Sequence, residues 1–173
     1  MTKPTIQEIY TLCMQRYFYR DGILFSIKTN KPVGCLDRQG HIKTMIYFNG
    51  KRFNFAVHRL VYLIHHKQIP EYVDHINGIR TDNRIENLRP ATKSENNRNR
   101  RVSKYSTSGS KGVIYNKNST KPWNARIRYD GKMHSLGYFA TIEEASTSYQ
   151  KAAAEQYGEF AHHISSQVPY LLE

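Results

Sequence analysis

The segment from Val73 to Asn99 constrains the fold of this chain more than any other feature. It contains few apolar side chains and many Asn, Asp and Arg. Such a segment is poor material for a hydrophobic core, because polar and charged side chains are seldom fully buried without partners. We therefore expect it to build a polar site, and we expect the sequence on either side to supply the cores.

Local signals predict where the helices begin. Thr-x-x-Glu capping boxes, in which the threonine and glutamate side chains bond to backbone N–H groups of the first turn, start at Thr5, Thr92 and Thr141. The apolar residues within 59–67 predict a largely buried helix that ends before Pro70.

Tight turns predict three β-hairpins. The dipeptides Asp21-Gly22, Asn49-Gly50 and Asp130-Gly131 lie between apolar-rich stretches, and these residue types tolerate the positive φ that two-residue hairpin turns need. Residues 112–117, 123–129 and 133–139 alternate like strands, and the helix after Thr141 has a stop signal at Gly158. The C-terminal part is therefore predicted to be a three-stranded antiparallel sheet with one packed helix.

The chain is strongly basic. It has 26 Lys and Arg against 14 Asp and Glu, a formal net charge of +12. The excess is concentrated in residues 1–56 and 79–110, while residues 57–78 are balanced. Any single lysine or arginine is most simply a solvated surface residue, but the uneven distribution as a whole favours a polyanionic partner, most simply nucleic acid.

Other functional classes are disfavoured by what the sequence lacks. The longest apolar run, residues 60–64, is far shorter than the roughly 20 residues of a spanning helix, and no secretory signal is evident. Cys13 and Cys35 form no CxxC pair, so we expect reduced, inert thiols. We expect a soluble intracellular protein, located in the cytoplasm of the host cell if a phage encodes it.

Asp74 and His75 are the first candidates for chemistry. Asn87 follows twelve residues after His75, and Asn96 lies near the start of the second capped helix. A strand ending in Asp-His, a polar loop, a short strand holding Asn87 and a helix bringing Asn96 back beside Asp74 would form a ββα finger able to hold one metal ion. Taken alone, an Asp-His pair is more often a turn or a satisfied polar pair.

In spacing, this segment resembles an HNH endonuclease. The residues His58-Arg59-Leu60-Val61 and the pattern VDHINGxxxDNRxxNLRxAT, followed by Asn96, match the phage and intron-associated type over residues 17–99. The resemblance implies that Asp74 and Asn96 are metal ligands and that His75 is the general base. It also implies that Asn87 belongs with His75 to the catalytic residues and organises the finger. It also implies a phage or mobile-element homing enzyme.

The ligand types predict the metal. Many members of the family have histidine at the two ligand positions, whereas this chain has Asp74 and Asn96. Carboxylate and carboxamide oxygens are hard donors that suit Mg²⁺ or Mn²⁺. We expect one such ion, no small-molecule cofactor and no membrane partner, and we expect hydrolysis of phosphodiester bonds in double-stranded DNA, by nicking or by cutting both strands.

The C-terminal part resembles the AP2 DNA-binding domain over residues 111–161. The matching features are Gly112-Val113, the Trp-x-Ala-x-Ile-Arg sequence from Trp123, a Leu-Gly-x-Phe sequence and a Tyr/Ala-rich helix. The resemblance implies that the sheet enters a DNA groove while the helix packs behind it. Alternation places Trp123 on the core face and Arg126 and Arg128 on the DNA face, where they either read bases or hold phosphates.

The predicted organisation is α+β: β-hairpins and a ββα-metal (HNH) finger, then the AP2-like sheet and helix. The predicted ranges are a nuclease domain over 1–99, a basic Ser/Gly-rich linker over 100–110, a DNA-binding domain over 111–161 and a tail over 162–173. The cations expected to contact DNA are Arg84, Arg89, Arg98, Arg100, Arg101, Lys104, Arg126 and Arg128.

Several alternatives stay open at this level. Arg84 and Arg89 brace the scissile phosphate, bind neighbouring phosphates or are structural. His58 is a buried hydrogen-bonding residue or a catalytic auxiliary, while His65-His66 and His162-His163 lack a third metal ligand at suitable spacing. For the whole chain, the alternatives are a DNA-binding regulator with an inactive HNH scaffold and a nuclease of structured RNA.

Overall fold

The fold is described from a computed structural model, which covers residues 3–102, 106–117 and 119–161. The chain divides into two compact units, residues 1–96 and 97–173. The predicted tail, with His162-His163, and the predicted DNA contact Lys104 lie outside the described residues. Among the residues that are described, no helix combines the length and apolar character needed to cross a bilayer.

The first unit begins with a capped helix and two antiparallel sheets. Helix α1 spans Ile6–Arg16 and has the predicted capping box between Thr5 and Glu8. The strands that follow are β1 (Tyr17–Arg20), β2 (Ile23–Ser26), β3 (Cys35–Leu36), β4 (Ile42–Phe48) and β5 (Lys51–Ala56). β1 pairs with β2, and β4 lies between β3 and β5. Asp21, Gly22, Asn49 and Gly50 all have positive φ, which confirms both predicted hairpin turns.

Helix α2, Val57–His66, forms the centre of the core of this unit. It begins two residues before the predicted start and ends at Lys67, whose φ of 57° stops the helix before Pro70. Leu60, Val61 and Leu63 are fully buried. They pack in one cluster with residues of α1, β2, β4 and the strands that follow.

The polar segment follows α2 and has little core of its own, as predicted. Strand β6 (Tyr72–His75) pairs with β7 (Leu88–Ala91), and helix α3 (Lys93–Arg98) comes next. Thr92 and Glu95 form the second predicted capping box. Asn87 was expected within the second strand. It instead ends a single 3₁₀ turn, Ile85–Asn87, directly before β7.

The second unit is a three-stranded antiparallel sheet covered by one helix, as predicted. Its strands are β8 (Val113–Tyr115), β9 (Trp123–Tyr129) and β10 (Lys132–Phe139), with β9 central. Helix α4, Ile142–Tyr157, carries the third capping box and ends at Gly158. Ala125 and Ile127 of β9 pack against the helix residues Ala145, Tyr149 and Ala153. This fold is mixed α+β, in line with the predicted class.

Candidate active site

The β6–β7 hairpin places Asp74 and His75 side by side at the end of β6. In the antiparallel register Asp74 lies opposite Arg89, and His75 lies opposite Leu88. Asp74 and His75 are each only 5% exposed. Two buried polar residues at a strand end require partners, since an unpaired buried polar group costs free energy.

Arg89 is a partner of Asp74. Its Nε and Nη2 donate to Oδ2 of Asp74 at 3.0 and 2.9 Å, and both side chains are less than 10% exposed. Arg89 was predicted to contact DNA or to be structural. Its buried position against Asp74 supports the structural alternative.

Asn83 is a partner of His75. The Nε2 atom of His75 lies 3.0 Å from Oδ1 of Asn83, which is 1% exposed. An amide oxygen only accepts, so Nε2 carries the hydrogen and the lone pair of the neutral ring lies on Nδ1. Burial lowers the pKa of His75 below its usual value. His75 is therefore neutral at physiological pH, the state that a general base requires.

Asn87 organises the loop that leads from His75 to β7. Its side-chain oxygen accepts from the backbone N–H of Asn77 at 3.0 Å. Its amide group donates to Oδ1 of Asn77 at 3.1 Å and to the carbonyl of Asp82 at 2.8 Å. One buried side chain thus holds both halves of the loop, which fits the organising role that the resemblance implies for it.

Asn96, the second expected metal ligand, is half-buried in the first turns of α3. Its backbone N–H donates to the carbonyl of Thr92 at 3.0 Å. The Thr92–Glu95 capping box sets the start of this helix directly after β7, so the position of Asn96 relative to the finger depends on that box.

Two further histidines lie next to His75. The ring centroid of His58, in the first turn of α2, is 4.8 Å from that of His75, and the ring centroid of His41, just before β4, is 5.3 Å from that of His58. Burial, followed by the neighbouring His75 and His41, lowers the pKa of His58 to about 2. Burial also lowers the pKa of His41. All three rings are therefore neutral near pH 7.

Comparison with known proteins identifies the family of this finger. The sequence profile of HNH endonucleases matches residues 55–98. Protein 3.8 of Escherichia phage T7 is 32% identical over 90 residues, which cover 52% of this chain and 73% of that protein. The chain belongs to the HNH endonuclease family. It is therefore an endonuclease, a hydrolase of phosphodiester bonds.

Two other relatives of this HNH endonuclease match it over about half their own length. The uncharacterized HNH endonuclease L560 of Acanthamoeba polyphaga mimivirus is 37% identical over 108 residues, covering 61% of this chain and 54% of that protein. A solved structure concerning DNA binding and cleavage by the HNH homing endonuclease I-HmuI has 32% sequence identity and a TM-score of 0.39. It covers 47% of this chain and 49% of that one.

Arg84 of the HNH endonuclease is bound to a neighbouring carboxylate. Its Nε and Nη2 donate to Asp82 at 2.8 and 2.7 Å, and its side chain is 54% exposed. This pair lowers the pKa of Asp82 to about 2. Arg84 thus stays accessible to a phosphate, unlike Arg89, although Asp82 balances part of its charge.

Within residues 97–110, the structure describes three of the predicted DNA contacts: Arg98, Arg100 and Arg101. The Arg98 guanidinium lies over the ring of Tyr157, 4.6 Å from its centroid. Arg100 and Arg101 are exposed. The Lys111 ammonium donates to the carbonyls of Arg98 and Arg100, so Lys111 holds the backbone of this basic segment within the second unit.

The outer face of the β8–β10 sheet carries the remaining predicted contacts. Ala125 and Ile127 face α4, which confirms the predicted alternation and leaves Arg126 and Arg128 on the opposite face. Arg128 is exposed and Arg126 half-buried. Cross-strand pairing puts Met133 beside Arg128. Trp123 is half-buried against the core that Val113, Ala125 and Ala145 form, which confirms its predicted core position.

Sequence reasoning missed His41, Asn83 and the Asp74–Arg89 pair. Asn83 and Arg89 are part of the quoted motif, but nothing local distinguishes the residue that orients His75 from its polar neighbours. His41 is separated from His75 by more than thirty residues. Helix α2 packs against both β4 and β6, and this tertiary packing brings His41 close to His75.

Proposed function

We propose that this chain is a divalent-metal-dependent endonuclease of double-stranded DNA in which His75 is the general base. The observation that carries the proposal is the buried pair at the end of β6, with Nε2 of His75 held by Asn83 at 3.0 Å. One ring nitrogen is held by a hydrogen bond and the other carries no hydrogen. Such a ring can accept a proton in a defined direction.

Asp74 and Asn96 would hold the ion. Carboxylate and amide oxygens are the ligands that Mg²⁺ and Mn²⁺ prefer. A carboxylate has about four acceptor positions, so the bonds from Arg89 to Oδ2 do not prevent Asp74 from acting as a ligand. When bound, a divalent ion would stabilise the negative charge that develops on the phosphoryl and leaving oxygens during hydrolysis.

The chain's own part in the reaction is proton transfer. Nδ1 of His75 takes a proton from a water molecule as that water's oxygen forms a bond to phosphorus. The bond from phosphorus to the 3′ oxygen on the opposite side breaks, and the leaving oxygen gains a proton from solvent. The products are a 5′-phosphate and a 3′-hydroxyl. Burial of His75 keeps the base neutral and ready for this step.

The second unit would bind the DNA as an AP2-type domain. Supporting this is the cationic outer face of the sheet, where Arg126 and Arg128 lie opposite the face covered by α4. Arginine on such a face can hold phosphates or read guanine edges in the major groove. The phage T7 and mimivirus relatives are consistent with a phage or mobile-element homing enzyme.

Plasmid cleavage tests the proposal. Supercoiled plasmid incubated with the protein and Mg²⁺ or Mn²⁺ should give nicked or linear product, and EDTA should abolish it. We expect His75→Ala to lose cleavage by about 10²-fold or more while its affinity for DNA changes only a few-fold, because the base contacts water rather than the duplex.

His66→Ala is the matched control. His66 is an exposed histidine at the end of α2, and its ring is tilted against that of Tyr62 with the centroids 4.3 Å apart. Its removal should therefore leave cleavage unchanged. Full activity in EDTA would contradict the metal role, and substantial activity of His75→Ala would remove His75 from the base role. Cleavage of structured RNA in preference to the plasmid would identify RNA as the substrate.

A further inference from the structure

A cluster of three histidines lies around the proposed base. Among the residues that the structure describes, one ligand nitrogen from each of His41, His58 and His75 lies within 4.8 Å of the other two. The three side chains come from separate elements: the turn before β4, the first turn of α2 and the end of β6. Hydrolysis through Asp74, His75 and Asn96 requires neither His41 nor His58.

We propose that His41, His58 and His75 form a site for one divalent transition-metal ion of borderline softness, such as Zn²⁺, and that the bound ion switches the nuclease off. The site is distinct from the oxygen ligands Asp74 and Asn96. Imidazole nitrogen suits zinc, copper and nickel, whereas Mg²⁺ prefers oxygen. Three histidines plus one water complete the four positions that zinc usually takes.

An unpartnered nitrogen of His58 supports a ligand at this position. His58 is only 7% exposed, and its Nδ1 is a buried atom with no hydrogen-bond partner among the described residues. Buried polar atoms in folded proteins nearly always have a partner. A metal ion shared with His41 would supply one.

The geometry permits closure of the site by ring rotation. Zinc–nitrogen bonds of about 2.0–2.1 Å set tetrahedral ligand nitrogens about 3.3 Å apart, so the three nitrogens must approach by up to about 1.5 Å. Rotation of a histidine ring about its terminal torsion is soft. The backbone of His41 is fixed, because Oδ1 of Asp37 accepts from the N–H of His41 at 2.9 Å.

The inhibitory consequence rests on the proposed function. A neutral imidazole has one lone pair, so a metal ion on His75 occupies the lone pair that the water proton needs. The same protein would then cleave with Mg²⁺ and be inactive once Zn²⁺ is bound. Zn²⁺ would not have to compete with Mg²⁺ for Asp74 and Asn96.

Metal binding is measured first and without DNA. Metal-free protein is titrated with Zn²⁺ by calorimetry and with Co²⁺ by visible absorption, where a tetrahedral nitrogen site gives intense bands. We expect one ion per chain. His41→Ala and His58→Ala should each weaken Zn²⁺ binding by about tenfold or more, and the exposed-histidine control His66→Ala should bind as the wild type does. Because His58 is buried, His58→Gln, which keeps more of the volume, is tested beside it.

Cleavage is measured next, with plasmid in excess Mg²⁺ and increasing Zn²⁺. The wild type should lose activity as Zn²⁺ fills the site, and His41→Ala should need about tenfold more Zn²⁺ for the same inhibition.

The proposal is overturned if the wild type does not bind Zn²⁺, or if neither His41→Ala nor His58→Gln affects the binding. It is also overturned if Zn²⁺ binding is lost in Asn96→Ala and retained in His41→Ala, because the ion would then occupy the oxygen site. Failure of the wild type to cut with Mg²⁺ would instead count against the proposed function, and the calorimetry would still decide the histidine site.

Discussion

At the scale of single residues, two Arg–Asp pairs of this chain have the same chemistry and different surroundings. The Arg89–Asp74 pair is buried, while Arg84 is 54% exposed beside Asp82. A buried pair that loses one partner leaves an uncompensated charge, at a cost of about 3–5 kcal/mol. An exposed pair contributes little to stability, because water and salt screen it.

We therefore expect Arg89→Met to loosen the β6–β7 hairpin severely and Arg84→Met to leave it almost intact. Hydrogen exchange of the backbone amides in residues 72–91, followed by mass spectrometry, measures the local free energy of opening in each variant. Equal protection in the two variants would show that burial of the Arg89 pair does not stabilise the hairpin. The comparison also tests whether Asp74 needs Arg89 in order to be a buried, charged metal ligand.

At the scale of elements, the loop between His75 and β7 is held by Asn87. Removing its three hydrogen bonds in Asn87→Ala leaves the backbone N–H of Asn77 and the carbonyl of Asp82 without these partners, and each lost bond costs about 0.5–1.5 kcal/mol. We expect faster hydrogen exchange over residues 76–87 and reduced cleavage, because Asn83, which orients His75, lies in this loop. Binding of DNA by the second unit should not change.

Asn87→Asp separates hydrogen bonding from size. It keeps the volume and the oxygen that accepts from Asn77, but it replaces the donor that faces the carbonyl of Asp82 with a second acceptor. We expect a loss comparable to that of Asn87→Ala. If Asn87→Asp instead has wild-type exchange and activity, then the donor bonds do not organise the loop.

Two glycines of the second unit differ in the space around them. Both Gly112 and Gly131 have positive φ, where a side chain costs about 1–2 kcal/mol. A Cβ on Gly131 would meet open space, whereas one on Gly112 would overlap the Tyr149 ring and lie 2.6 Å from the carbonyl oxygen of Arg126. We expect Gly112→Ala to destabilise the unit by about 1–3 kcal/mol more than Gly131→Ala.

Urea unfolding followed by tryptophan fluorescence measures this difference. The chain has one tryptophan, Trp123, which lies in the second unit, so the signal reports on that unit. Equal unfolding midpoints for the two variants would mean that α4 shifts away from the sheet at little cost.

Elements of this chain were predictable from sequence wherever a short local signal fixes them. The Thr–Glu capping boxes and the Asp-Gly and Asn-Gly turns act within four residues, and the structure contains all of them. The start of α2 and the 3₁₀ turn before β7 depend on packing and were misplaced. The contacts around Asp74 and His75 join residues eight or more positions apart, beyond the reach of a turn or capping signal, so no local signal reveals them.

At the scale of the whole molecule, the positive charge is spread over both units. The excess of Lys and Arg over Asp and Glu gives a formal net charge of +12. Each contact to a DNA phosphate releases counterions, so the affinity for DNA falls as the salt concentration rises. Separate cores in the two units favour a division of labour, with chemistry in residues 1–96 and anchoring in residues 97–173. A chain ending at residue 110 should keep cleavage chemistry and lose DNA affinity and choice of site.

The outer face of the β8–β10 sheet provides the sharpest test of anchoring. Arg128 is exposed on that face, and Lys151 is exposed on α4, which covers the other face. If Arg128 holds a phosphate, Arg128→Ala weakens binding to every duplex alike and lowers the slope of log affinity against log salt by about 0.9. If it reads a guanine edge, the loss is concentrated on the preferred site, at about 1–3 kcal/mol. Lys151→Ala removes the same charge and should change neither the slope nor the preference.

Binding titrations on target and scrambled duplexes at several salt concentrations distinguish these outcomes. Equal effects of Arg128→Ala and Lys151→Ala would show that the sheet is not the face that meets DNA.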